Sequence, residues 1–387
     1  MSKSKLIFYV SLTFFCLMLL FFGIYNFAFK KSTPAPVTTI ENEATATPPT
    51  ETPKEVPKLS LAPISALTDE AVLAPTLVSG ESALKYYSKL SGQVYQIDFN
   101  GNGKRMLSAK TLPGLVFVLW SPDKSKVITK ITNGTTSSFY SYDYSTLKST
   151  PLPSNIDSIT WQNSSNLIFY KYFDPKSKKS TLNLSAPDGT NWKKLIDLAV
   201  GNIEISSIPG VGGLISYWNK PDALFPTSLK TFPLVGGAEK EIFKDAFGAD
   251  YLWNNAGTNV LISSVDAKGG TKMQLSVVNS TGGELKNLNT PTFVSKCAWL
   301  SDNKTILCAL PGEIPTNAVL PNDYDNGKFR TTDTFWRINT ETGEKSRLIE
   351  TSDIDQKYDA TNLFLNADES LLFFQNRTDG KLYRITL

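Results

Sequence analysis

From Val72 to Leu387, apolar side chains recur two positions apart in short segments, each followed by Gly, Asn, Asp or Pro. The pairs are Tyr95/Ile97 in VYQIDFNGNG, Tyr140/Tyr142 in FYSYDYST and Leu182/Leu184 in TLNLSAPDG, with a weaker copy around Phe232 in LKTFPLVGG. Leu275/Val277 in QLSVVNSTGG, Trp336/Ile338 in FWRINTETG and Tyr383/Ile385 in LYRITL complete the series. A period of two gives each strand one buried side, and the following residues supply a turn. The spacings are mostly 42 to 48 residues, the length of a four-stranded propeller blade.

A second element precedes each of those strands and reads as strand, tight polar turn, strand. It occurs as VLWSPDKSKVITK from Val118, ITWQNSSNLIFYK from Ile159, YLWNNAGTNVLISS from Tyr251, CAWLSDNKTILCAL from Cys297 and LFLNADESLLFF from Leu363. PTLVSGESALKYYS from Pro75 and ISSIPGVGGLISYW from Ile205 are looser copies. Seven units follow, at about 72–113, 114–158, 159–204, 205–249, 250–295, 296–360 and 361–387. The last has no room for a fourth strand, so residues 62–71, APISALTDEA, are expected to complete it as an outer edge. Trp120, Trp161, Trp253 and Trp299 share one position at the end of a first strand, which suits packing between blades better than ligand contact.

Ahead of the repeats, Leu6 to Phe29 form 24 consecutive uncharged positions, long enough to cross a bilayer as a helix. Residues 30–61, rich in Pro and Thr, cannot build a core and read as an extended stalk. The expected class is therefore all-β: a closed seven-bladed β-propeller over 62–387, behind a short cytoplasmic tail (1–5), a transmembrane helix (6–29) and a disordered stalk (30–61). The stalk favours a single-pass cell-membrane protein with its propeller on the extracytoplasmic side. Four lysines and no acid lie in the first 31 residues, so the remainder carries −1 against +3 for the whole chain. A domain without a positive field is not expected to bind nucleic acid, and the lysines of DPKSKKS (173–180 region) read as a solvated hairpin loop.

The segment PSNIDSITWQNSS and its copies resemble the repeats of the TolB-like and WD40-like β-propeller superfamily, and WSPDKSK at Trp120–Lys126 is the best local match. The resemblance covers 72–387 and implies an interaction platform; it transfers no catalytic pattern. Blade six is longer than the others, with its excess in PGEIPTNAVLPNDYDNGKFRTTDTFW (311–336), and in this it resembles uncharacterised bacterial membrane-anchored propeller proteins. There Asp323, Tyr324, Asp325, Phe329 and Arg330 mix charge with aromatic area, as a recognition loop would; the alternative is a loop packed over the rim as a cap.

The chain has no histidine, which removes Ser–His–Asp and Cys–His hydrolysis and histidine zinc sites together. Carboxylate chemistry remains open, since glycoside cleavage needs only two suitably placed Asp or Glu side chains. No cofactor is expected. Calcium is the ion for which short motifs offer oxygens: Asp98, Asn100 and Asn102 before Gly103, whose twelfth position is Ala109 and not a bidentate Glu, and Asp323 with Asp325. Each is more simply a turn. Cys297 and Cys308 face one another across a hairpin and are a candidate disulfide or two buried thiols. The leading expectation is a membrane-tethered scaffold that binds an envelope or extracellular protein without catalysis. The alternative is a propeller that binds carbohydrate or cell-wall glycan, with possible glycoside cleavage by carboxylates.

Overall fold

The computed structural model describes residues 63–199 and 201–387. Seven antiparallel sheets of four strands each account for nearly all of it. Blade one runs from Val72–Leu77 to Arg105–Ser108, and blade two from Leu115–Trp120 to Lys148–Pro151. Blades three to six open with Ile156–Trp161, Ile203–Ser207, Asp250–Trp253 and Cys297–Trp299, and blade seven with Ala360–Leu365. These first strands are innermost: those of blades one, two and seven line an axial cavity of about 900 Å³. Those of blades five, six and seven line a second of about 440 Å³ that shares Leu77, Glu81 and Leu363–Leu365 with it.

The hairpin after the inner strand follows one hydrogen-bond rule in every blade but the fourth. In blade two Ser121 N–H donates to Lys126 O and Lys124 N–H to Ser121 O; Asn254, Asn259 and Gly257 repeat this in blade five, and Asn366, Leu371 and Glu369 in blade seven. The fourth residue of the turn has positive φ at Glu81, Lys124, Gly257, Asn303 and Glu369. Only one of these is glycine, the residue for which that conformation is free of strain. The geometry of the turn is kept while its sequence drifts.

Hydrophobic clusters lie at the boundary of each pair of neighbouring blades. Ile128 and Phe139 of blade two meet Ile159, Trp161 and Tyr170 of blade three, and Leu84, Tyr86 and Ile97 of blade one meet Phe373 and Leu382 of blade seven. The repeated tryptophans add a directional link. Trp120 Nε1 donates to Ala74 O (2.9 Å), Trp161 Nε1 to Leu119 O (3.0 Å), Trp299 Nε1 to Leu252 O (3.2 Å) and Trp253 Nε1 to Ser216 Oγ (2.9 Å). Each indole reaches back to the preceding blade, so these rings are scaffold. Trp161→Phe keeps the ring but loses the donor, and is expected to cost about 1–2 kcal/mol. The expected readout is a lower urea midpoint at unchanged slope; an unchanged midpoint would show that the indole bond contributes nothing.

The seventh sheet draws its outer strand from the other end of the domain. Ile64–Ala66 pairs antiparallel with Leu382–Thr386, in the register Ile64↔Ile385, Ser65↔Arg384, Ala66↔Tyr383. Gln375 Nε2 of blade seven also donates to Val72 O of blade one at 2.7 Å. The expected closed, membrane-anchored propeller is corrected on two points. The propeller is an open one about its axis, which holds the cavities described above, and blade one meets blade seven through side-chain packing and the Gln375 bond with no backbone ladder between them. Among the described residues no helix is long and apolar enough to cross a membrane. The tail, anchor and stalk expected at 1–5, 6–29 and 30–61 lie outside the described residues.

Candidate functional site

The blade-six insertion leaves its sheet after Thr305–Pro311 and returns at Asp333–Asn339. It crosses one end of the propeller toward blades four, five and seven. Its docking depends on Gly248, where an added Cβ would lie 2.7 Å from Pro321 Cδ and 2.9 Å from Leu320 O. The short helix Asn322–Asp325 then places Tyr324 inside. That ring is 2% exposed, stacks on Phe293 at 4.5 Å between centroids, and lies 4.0 Å from the Arg377 guanidinium.

Beneath Tyr324 is a buried ionic network. Lys296 Nζ lies 2.7 Å from Asp333 Oδ2, 2.7 Å from Asp359 Oδ1, 3.0 Å from Thr331 Oγ1 and 2.9 Å from Ala360 O. The Tyr324 hydroxyl donates to Asp359 Oδ1 at 2.6 Å. Burial disfavours the Lys296 ammonium, but Asp333, Tyr324 and Asp359 outweigh it and hold its pKa above the usual lysine value. Burial also acts against ionised Asp359, yet Lys296 and the hydroxyls of Tyr324 and Thr331 keep it below the usual carboxylate range. For Asp333, burial wins over Lys296 and the pKa rises.

The five sequence-predicted residues thus divide. Tyr324 is an anchor, Phe329 packs against it at 5.7 Å, and Arg330 Nε approaches Asp359 Oδ2 at 3.8 Å. Asp323 accepts from Val319 N–H (2.9 Å) and pairs with Lys328 (2.6 Å). Its Lys328 and backbone bonds lower its pKa. Asp325 alone reaches an open cleft. The other motifs settle as local structure: Asp98 Oδ1 accepts from Asn100 and Asn102 N–H, each at 2.8 Å, which makes DFNGNG a turn. Cys297 and Cys308 are register partners joined by a disulfide.

The cleft reached by Asp325 has a volume of about 370 Å³ and lies between the insertion and blade four. Asn322 braces it, accepting from Ala223 N–H (2.8 Å) and donating to Asp222 Oδ1 (3.1 Å). Phe225, 68% exposed, supplies an apolar face. Asn202, Asn219 and Asn326 line the same space, and their side-chain amides have no protein hydrogen-bond partner among the described residues. Lys220 lies beside them.

Two acids flank the strand that carries Asn219. Glu204, on the inner strand of blade four, is the register partner of Trp218. Trp218 Nε1 donates to Asp250 Oδ1 on the inner strand of blade five at 3.1 Å, and Tyr251 N–H donates to the same oxygen at 3.0 Å. Burial, with the negative fields of Glu204 and Asp325, outweighs those bonds and pushes Asp250 up to about 7. Burial raises Glu204 as well, with Lys220 opposing and Asp157 and Asp325 adding to the rise. Sequence reasoning missed all of these residues. KPDALFP, with two large apolar side chains in a turn-rich segment, was the available signal for Phe225.

No protein-family model matches the chain, and no curated protein matches it. Solved structures of similar fold include an oligogalacturonate lyase in complex with manganese, 13% identical with a TM-score of 0.57, over 84% of this chain and 93% of that one. An oligogalacturonate lyase from Vibrio parahaemolyticus is 10% identical with a TM-score of 0.57, over 84% and 93%. The β-propeller domain of the Trilobed protease from Pyrococcus furiosus, which has an open velcro topology, is 12% identical with a TM-score of 0.50, over 81% and 92%. At 10–13% identity these structures show that the chain shares the β-propeller fold. The residues present here do not form a manganese site: histidine is absent from the sequence, and among the described residues no three Cys, Asp or Glu side chains gather closely enough to hold an ion.

The expected membrane-tethered scaffold for an envelope or extracellular protein is corrected accordingly. Among the described residues no helix is long and apolar enough to cross a membrane, and Tyr324, the aromatic centre of the insertion, is buried. The fold is shared with carbohydrate lyases.

Proposed function

We propose that this propeller recognises a carbohydrate polymer at the cleft between blade four and the blade-six insertion. The observation that carries the reading is three unpartnered asparagine amides around one exposed phenylalanine. An amide offers a donor and an acceptor side by side, which matches adjacent sugar hydroxyls, while an aromatic face accepts the C–H side of a pyranose ring. Kinship with the TolB-like and WD40-like superfamily is supported by the Trp120–Lys126 hairpin and leaves this ligand class open. Hexagalacturonate, cellohexaose and chitohexaose are the probes for calorimetric titration. At least one should bind, and Phe225→Ala should weaken that binding tenfold or more without changing the melting temperature. Failure of all three to bind, or indifference to Phe225→Ala, would overturn the reading.

Cleavage is a second reading, favoured by the Glu204–Trp218–Asp250 arrangement. A carboxyl that titrates near neutral pH can hold a proton for a leaving oxygen while a neighbouring carboxylate acts as base or nucleophile. Release of new reducing ends from the bound hexasaccharide, lost in Asp250→Asn with binding retained, is the expected result.

A further inference from the structure

Blade three carries a separate groove of about 460 Å³ on one face of its sheet, away from the insertion. Tyr170, Tyr172 and Asp174 alternate along Ile168–Asp174 and so share that face. They pair with Asn183, Thr181 and Lys179, and the next strand brings Lys194 opposite Asn183 and Asp197 opposite Thr181. Trp192, 65% exposed, stands at the entrance to the outer strand and lines the groove.

Two features of this face call for a ligand. Asn183 is 2% exposed and its Nδ2 donates to Thr181 Oγ1 at 3.0 Å, but its Oδ1 is buried without a partner. A buried acceptor left unpaired is costly, and it lies in a groove wall where a donor could complete it. Its burial also removes Asn183 as a glycosylation acceptor, although N-L-S has the required form. Its charged lining is two lysines and two aspartates, Lys179 and Lys194 with Asp174 and Asp197. Both acids are already engaged, Asp174 by the Ser177 hydroxyl and the Lys176 N–H, and Asp197 by Lys194 at 3.1 Å. Lys179 lines the groove and has no carboxylate partner among the described residues.

We infer that the blade-three groove is a second binding site, for an anionic saccharide chain. The exposed Trp192 face takes a sugar ring, Lys179 takes its carboxylate or sulfate, and a sugar hydroxyl donates to Asn183 Oδ1. Aromatic area combined with cations on a narrow groove fits such a chain better than a duplex, whose phosphates demand a longer basic stripe. The inference extends the carbohydrate reading to another surface and stands without the cleft at blade four.

The test uses the full chain and Trp192→Ala, Lys179→Gln and Phe225→Ala variants, all on exposed or partly exposed side chains, with melting temperature as the folding control. Hexagalacturonate and a sulfated heparin hexasaccharide separate the two anion sources, cellohexaose is the neutral control, and a dT oligonucleotide represents nucleic acid. Trp192→Ala and Lys179→Gln should each weaken binding of at least one anionic hexasaccharide about tenfold, with Phe225→Ala leaving that component in place. Anionic binding untouched by Trp192→Ala and Lys179→Gln but abolished by Phe225→Ala would overturn the groove and keep the cleft. Groove binding that is equally tight for cellohexaose, or tighter for the oligonucleotide, would overturn the assignment to an anionic saccharide.

Discussion

Lys296→Met is expected to destabilise the propeller by about 3–5 kcal/mol, because it strips the ammonium from two buried aspartates, leaving Asp333 without a countercharge and Asp359 with only the half-exposed Arg330 at 3.8 Å. Asp333 and Asp359 are fully buried as side chains, and each already has one oxygen without a hydrogen-bond partner. The loss should also be felt at a distance, since Asp359 receives the Tyr324 hydroxyl and Tyr324 fixes the insertion. The pH signs follow from the native shifts. Lys296 is raised, so its contribution is complete below the ordinary lysine pKa and fades only as pH climbs through the higher native value. Asp359 is lowered, so its contribution is complete above the ordinary aspartate pKa and fades as acid protonates the native form. Asp333 is raised and opposes these, since its ionisation removes stability as pH rises from the ordinary aspartate value through the native one. Urea unfolding at pH 7 measures the sum. The triple change Lys296→Met, Asp333→Asn, Asp359→Asn should recover most of the loss, because neutral groups do not need the countercharge. If the single variant loses under about 1 kcal/mol, a magnitude ordinary for surface pairs, the network is not functioning as a buried ion cluster.

Much of the scaffold could be read along the chain because a strand advertises itself locally. Tyr140 and Tyr142, or Leu275 and Val277, declare a period of two within a few residues, and the shared tryptophan position marks where four of the seven inner strands end. The positive-φ turn residues were hidden because five different local contexts reach one backbone geometry through Glu, Lys, Gly and Asn. Lys296 directly precedes an apolar strand, and nothing near it in sequence announces Asp333 and Asp359, which only the fold brings to it. The same holds for Glu204 and Asp250, single acids on consecutive inner strands whose shared neighbour, Trp218, belongs to a third strand. The insertion could be read as recognition loop or cap for a physical reason: a polar, aromatic loop has the same composition whether its tyrosine points to solvent or into a pocket. Tyr324 finds Phe293, Arg377 and Asp359, and burial among them outweighs exposure. Asp325 and the loop's edge still contribute to a cleft, so the segment is a cap that also forms a wall.

Asp250→Asn should make the protein more stable at pH 8 and should flatten the dependence of its stability on pH between about 4 and 7. The native carboxyl titrates near 7 whereas the unfolded one titrates near 3.8, so over that interval the folded state holds a proton that the unfolded state has released. Stability contributed by the neutral acid is therefore complete below the lower value and is lost as pH rises through the upper one. The interval corresponds to roughly 2–4 kcal/mol, taken toward the low end because Asp250 keeps some contact with solvent. Asparagine cannot ionise, yet its side-chain oxygen can still accept from Trp218 Nε1 and Tyr251 N–H, the two bonds that orient the native group. Urea unfolding of both proteins at pH 4, 6 and 8 gives the slope directly, and equal slopes would show that Asp250 is not the group responsible. The inner strand of a propeller has no structural need for an acid at this position, since the neutral amide fills the same space with the same acceptor. In the proposed cleavage reading, the neutral acid is the proton donor and Glu204 its neighbouring carboxylate. A variant that is more stable, still binds its hexasaccharide and releases no reducing ends would join the two consequences in one side chain.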